Sequence, residues 1–104
     1  MSAEERKPYI MGFWDAEGGL PKNPKKCKKA EQKYISFHQK DLEPLYFVQK
    51  SLQELGFITT NITRCKEAFE FRITRKGEIK KFIYEIGTRH PEKKKRLNEL
   101  KMVL

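Results

Sequence analysis

Two carboxylates, Asp15 and Glu17, stand at the end of a short segment that begins at Pro8 and is stopped by Gly18 and Gly19. Read as a helix, Pro8 to Glu17 ends on two acids, where the macrodipole disfavours negative charge by a few tenths to about 1 kcal/mol. Gly12 and Ala16 lie four apart on one face of it. A glycine inside a helix costs about 1 kcal/mol against alanine. Close backbone approach by a second helix would offset that cost, and a second copy of this helix around a two-fold axis supplies one. Acids from both copies would then meet near the axis, where they could hold divalent metal ions beside a phosphodiester. The plainer alternative is that both are exposed acids near a turn, with Asp15 capping the partner helix.

The charge elsewhere on the chain suits a polyanion. There are 23 Lys and Arg against 14 Asp and Glu in 104 residues, a formal net charge of +9. From Pro21 to Lys40 run Lys22, Lys25, Lys26, Lys28, Lys29, Lys33 and Lys40, with Glu31 as the one acid. A second group is Arg72, Arg75, Lys76, Lys80 and Lys81; a third is Arg89, Lys93, Lys94, Lys95 and Arg96. Nucleic acid is the first partner such a field suggests, and an anionic membrane surface the alternative. No apolar run is long enough to span a bilayer, and no signal-peptide pattern follows Met1. Cys27 and Cys65 are too few for a disulfide scaffold or a structural zinc site, so a reduced, intracellular (cytoplasmic) protein is expected.

The elements that would position these groups follow from periodicity. Ser2 and Glu5 have capping-box spacing, although Pro8 offers a later helix start. Leu20 to Lys29 is broken by prolines and reads as a loop leading into a strand. Lys33 to Gln39 alternates, with Tyr34, Ser36 and His38 on one side and Ile35, Phe37 and Gln39 on the other. Asp41 as N-cap, then Leu45, Val48, Leu52 and Leu55, then Gly56, spell out a helix. Phe57 to Cys65 reads as a strand, Lys66 and Glu67 as a turn, and Phe69 to Thr74 as a second strand. Ile79, Phe82, Ile83 and Ile86 mark a helix stopped by Gly87; His90 and Pro91 open a last one. The expected class is α+β in a single domain over residues 1–104: one antiparallel sheet with helices on one face. The open face would carry Glu70, Arg72 and Thr74 beside Tyr34, Ser36 and His38.

Ile10-Met11-Gly12-Phe13-Trp14-Asp15-Ala16-Glu17-Gly18 resembles, position for position, the motif of the LAGLIDADG homing endonucleases. Phe37 to Asp41 is similar to the family's strand-end segment, and the basic run after His90-Pro91 to its late lysine cluster. The resemblance covers residues 8 to 100 and implies an αββαββα core with a four-stranded, saddle-shaped antiparallel sheet. It implies a homodimer pairing through motif helices at Gly12, Phe13, Asp15 and Ala16. It implies Mg²⁺-dependent double-strand cleavage of a long, nearly palindromic DNA site, with the gene carried in an intron. Glu17 would be the catalytic metal ligand, joined by the carbonyl of Ala16. Gln39, or with a different gap Asp41, would order solvent near the metal. Lys93 or Lys95, with Lys94 not excluded, would stabilise the charge added in the transition state.

Lys22, Lys25, Lys26, Lys28 and Lys29 would grip the DNA backbone. Candidates for contact with the DNA, mostly base readers on the strands, are Lys33, Ser36, His38, Lys40, Thr60, Arg64, Glu70, Arg72 and Arg75. The same resemblance leaves two non-cleaving alternatives on the same fold: an RNA-binding intron maturase and a DNA-binding regulator.

Overall fold

The computed structural model describes residues 2–21 and 33–104. Helix α1 (Ala3–Glu17) begins a full turn before Pro8. The Ser2 hydroxyl accepts the Glu5 N–H at 3.3 Å, which satisfies one of the unpaired donors of the first turn. Pro8 lies inside the helix, exposed, and forgoes one backbone bond there. The expected start at Pro8 is therefore corrected: the Ser2 cap wins.

Strand β1 is only Gly18–Gly19 and leaves α1 without a loop. It pairs antiparallel with β2 (Ile35–Gln39), Gly18 opposite Phe37 and Gly19 opposite Ser36. A side chain at Gly19 would meet the Ser36 hydroxyl at 2.7 Å, so the close approach of the strands requires a glycine there. Most of the loop expected over Leu20 to Lys29 falls in residues 22–32, which lie outside the described part.

Helix α2 (Leu42–Glu54) follows the apolar period closely: Leu45, Val48 and Leu52 are fully buried. Gly56 ends it with φ 92°, a left-handed conformation that glycine adopts at no steric cost. Strands β3 (Thr63–Cys65) and β4 (Ala68–Ile73) join through a turn at Lys66 and Glu67. The strand expected from Phe57 is shorter than its composition suggests. Thr60 takes its hydroxyl, not its carbonyl, to the Arg72 N–H at 2.8 Å, and this breaks the regular ladder. Helices α3 (Lys76–Glu85) and α4 (Pro91–Met102) complete the chain.

The sheet order is β1-β2-β4-β3, antiparallel throughout. Alternate residues of the two central strands face the helices. Ile35 and Phe37 of β2, with Phe71 and Ile73 of β4, are buried among Ile10, Trp14, Leu45, Ile79, Phe82, Leu97 and Leu100. Phe37 stacks on Phe71 with centroids 4.8 Å apart, and Phe82 meets Trp14 edge-on at 5.5 Å. The other face carries Ser36, His38, Glu70 and Arg72, as the alternation predicts. No helix among the described residues is long and apolar enough to cross a membrane.

Candidate active site and nucleic-acid interface

The last turn of α1 contains no basic residue of its own. The fold supplies what the turn lacks. Lys93, near the start of α4, donates from Nζ to the carbonyls of Trp14 (2.7 Å), Asp15 (2.8 Å) and Gly18 (3.1 Å). The same ammonium lies 4.8 Å from the centroid of the Trp14 ring. A cation at the negative end of the helix is stabilising, the more so when partly buried. Burial lowers the pKa of Lys93, with Asp15 opposing, Arg96 reinforcing and Glu17 opposing. One turn further along α4, Arg96 Nη2 donates to the carbonyls of Leu20 and Pro21 at 3.2 and 2.9 Å. Helix α4 is itself capped by His90, whose Nδ1 accepts the Lys93 N–H at 3.3 Å.

The two acids of the last turn part company. The Asp15 carboxylate turns into its own chain, accepting from the Thr88 hydroxyl and from the Arg89 N–H (3.3 Å). Glu17 is exposed, as is Ala16. Gly12 is also exposed, and a Cβ added there would meet nothing within 4 Å. No contact among the described residues therefore accounts for a glycine at this position. Phe13 is half-buried and stacks at 6.4 Å on Phe37.

Gln39 sits two residues beyond the pairing of Phe37 with Gly18, at the end of the sheet where α1 terminates. Its Oε1 accepts the Lys40 N–H at 2.9 Å. Asp41 caps α2 by position, with no side-chain hydrogen bond. Among the three late lysines only Lys93 reaches the end of α1; Lys94 and Lys95 are exposed.

A divalent cation implied by the motif would take oxygen donors. Among the described residues no group of three or more His, Cys, Asp or Glu side chains gathers to hold one. Glu17 and the neighbouring Ala16 carbonyl offer a small, hard donor set. Such a set fits Mg²⁺, which keeps several waters and takes one or two carboxylates.

The open face of the sheet receives the other expected contacts unevenly. His38 and Arg72 are about two-fifths exposed, at 41% and 39% of their side chains. Arg64 and Arg75 are exposed, Arg64 on β3 with Nε 3.5 Å from the Lys66 carbonyl and Arg75 as the residue before α3. Lys40 is exposed and Lys33 half-buried. Ser36 is a correction. At 1% exposure it is closed off at the centre of the sheet and has no hydroxyl to offer a base. Thr60 is exposed, and its hydroxyl accepts the Arg72 N–H while keeping its own O–H to donate. Lys22, Lys25, Lys26, Lys28 and Lys29 lie outside the described residues.

Sequence reasoning missed Thr88 and Arg96. Thr88 follows the glycine that ends α3 and bonds Asp15, 73 positions earlier, so no local period links them. Arg96 is signalled only by its basic cluster.

An acid-ended helix running into a four-stranded antiparallel sheet, with the helices covering one face, defines a small α+β domain. The family model described as a LAGLIDADG-like domain matches residues 4–87. The homing endonuclease I-ApeI of Aeropyrum pernix is 34% identical over 93 residues, covering 88% of this chain and 39% of that protein. The chain thus spans about two-fifths of the length of this curated relative. No solved structure gives a significant match. The chain belongs to the LAGLIDADG homing endonuclease family.

Proposed function

We propose that this chain is a site-specific DNA endonuclease that works as a homodimer, cuts both strands of a long near-palindromic site, and uses Mg²⁺. One observation carries the reading: Glu17 is exposed at the end of α1 while Lys93 fixes that end from beneath. The similar protein I-ApeI is named a homing endonuclease, which favours DNA as substrate. An intron origin is part of the same proposal.

The exposed Gly12 and Ala16 support pairing of α1 with α1 of a second copy. Two Glu17 carboxylates, one from each chain, would then lie near the dimer axis. Glu17 and the Ala16 carbonyl would hold the metal, which supplies Lewis-acid charge neutralisation at phosphorus. Water adds to phosphorus, and the sugar oxygen leaves carrying a proton. Gln39, at the same end of the sheet, would orient solvent. Lys93 donates from Nζ to three carbonyls and so stands as a fixed positive charge beside the phosphate. Lys95 and Lys94, being exposed, fit phosphate contact better than the reacting centre.

The lysines at positions 22, 25, 26, 28 and 29 are assigned to the DNA backbone, and their contribution would weaken with salt. Arg72, His38, Arg64, Arg75, Lys33 and Lys40 are assigned to the DNA-facing surface. The test is incubation with a randomised duplex library, or with the uninterrupted host gene, with and without Mg²⁺. Discrete double-strand cuts that vanish on chelation support the proposal. Binding without cutting under every divalent metal would instead favour the maturase or regulator, with RNA the next ligand to try.

A further inference from the structure

The open face of the sheet carries a carboxylate, Glu70, between two basic side chains. Glu70 of β4 lies opposite His38 of β2, and Arg72 lies opposite Ser36, the next pair along. The two oxygens of Glu70 face different basic neighbours. Oε2 meets His38 Nε2 at 2.6 Å, and Oε1 lies 3.3 Å from Arg72 Nε. The Arg72 guanidinium carbon lies 4.1 Å from the centroid of the Tyr34 ring. The Glu70 side chain is only 12% exposed, against 39% for Arg72, whose Nε is buried and makes no hydrogen bond. The acid is the floor of the cluster, and the arginine lies above it, paired with it by charge alone and stacked on Tyr34 through one flat face.

A carboxylate reads a base only with a free oxygen, usually by accepting from cytosine. Glu70 lies nearly buried beneath Arg72, with Oε2 on His38. A guanidinium reads guanine through two parallel N–H donors to O6 and N7, and that match depends on the plane of the fork. An arginine free to rotate loses affinity to ordering, and its charge attracts any phosphate; one held in plane favours a single base.

We propose that Arg72 reads a guanine in the major groove, and that Tyr34, by stacking on the guanidinium, and Glu70, by its charge beneath it, hold Arg72 for that contact. Glu70 is a positioning residue and touches no base. The inference rests on the reading that this face lies on DNA.

The experiment selects binding sites from a randomised duplex library, with Ca²⁺ in place of Mg²⁺ to limit cutting. Wild type is compared with Arg72→Lys, Glu70→Gln and Tyr34→Leu, each checked by thermal unfolding. Wild type should enrich a defined site with guanine at one symmetry-related position. Arg72→Lys, which keeps the charge and loses the fork, should lower that preference about tenfold or more. Glu70→Gln should relax the same position, leaving the others and the salt dependence unchanged. Tyr34→Leu removes the stacking ring without touching the carboxylate and should act at that position too. In the enriched site, 7-deazaguanine lacks the N7 acceptor; it should weaken wild type and leave Arg72→Lys unaffected. A defined site whose guanine preference survives in both Glu70→Gln and Tyr34→Leu overturns this inference alone. A wild type that enriches no sequence overturns the DNA reading beneath it.

Discussion

Helix α1 presents two faces made from the same spacing and put to opposite uses. Ile10 and Trp14, four apart, are fully buried, and the indole donates to the Ser36 carbonyl at 3.1 Å. Gly12 and Ala16, also four apart, are exposed, with open space around Gly12. The acids divide in the same way, Asp15 bonding inward and Glu17 lying outward. One helix thus separates the residues that make the fold from those left for another molecule. Residues on the first face should govern stability, and those on the second assembly and chemistry.

The sharpest break of that division is on the buried side. Trp14→Ala should destabilise the protein by about 3–5 kcal/mol, since it empties the core and orphans a buried carbonyl. Chemical denaturation measures this, and a loss under about 1 kcal/mol would dissolve the distinction. Next comes the staple beneath the helix end. Lys93→Met should cost about 1–2 kcal/mol of stability through the helix terminus. In a cleavage assay it should also slow cutting about a hundredfold, as expected when a charge beside a developing oxyanion is removed.

On the exposed side, Gly12→Leu should raise the stability of the folded monomer by up to about 1 kcal/mol, because the helix gains propensity and nothing clashes. It should nevertheless halve the mass seen by analytical ultracentrifugation. An unchanged dimer would reject pairing through this face.

The smallest effect is on pH dependence. Burial lowers the Lys93 pKa, so the folded protein releases that proton before the unfolded chain does. The unfolded chain then binds more protons, and stability rises as pH climbs through the lowered pKa toward the ordinary lysine range. Relative to Lys93→Met, wild type should therefore gain thermal stability in mildly alkaline buffer. An identical pH profile for the two proteins would count against it.

Much of this division was readable in the sequence, for physical reasons that vary by element. Helix α2 was legible because Leu45, Val48 and Leu52 keep one period and Gly56 supplies the left-handed stop. The open face was legible because Ile35 and Phe37 alternate with Ser36 and His38. Position on a face did not reveal depth, however: Ser36 lies on the open face and is still buried. The shortening of β3 was hidden because a threonine hydroxyl replaced a backbone carbonyl in one bond. At the site, the motif pointed to Glu17 and Asp15, but nothing local foretold that the Asp15 carboxylate bonds Thr88 and Arg89. That bond, and the choice of Lys93 over its neighbours, depend on the path of the chain between α1 and α4. No local spacing encodes it.

The central claim is that the exposed end of α1 carries the chemistry and is separable from the fold. The most direct measurement compares wild type with Glu17→Gln for cleavage, DNA affinity and thermal midpoint in Mg²⁺. The account predicts that cleavage is abolished while affinity and midpoint stay nearly unchanged, since the side chain is exposed. A Glu17→Gln protein that still cuts both strands would contradict it.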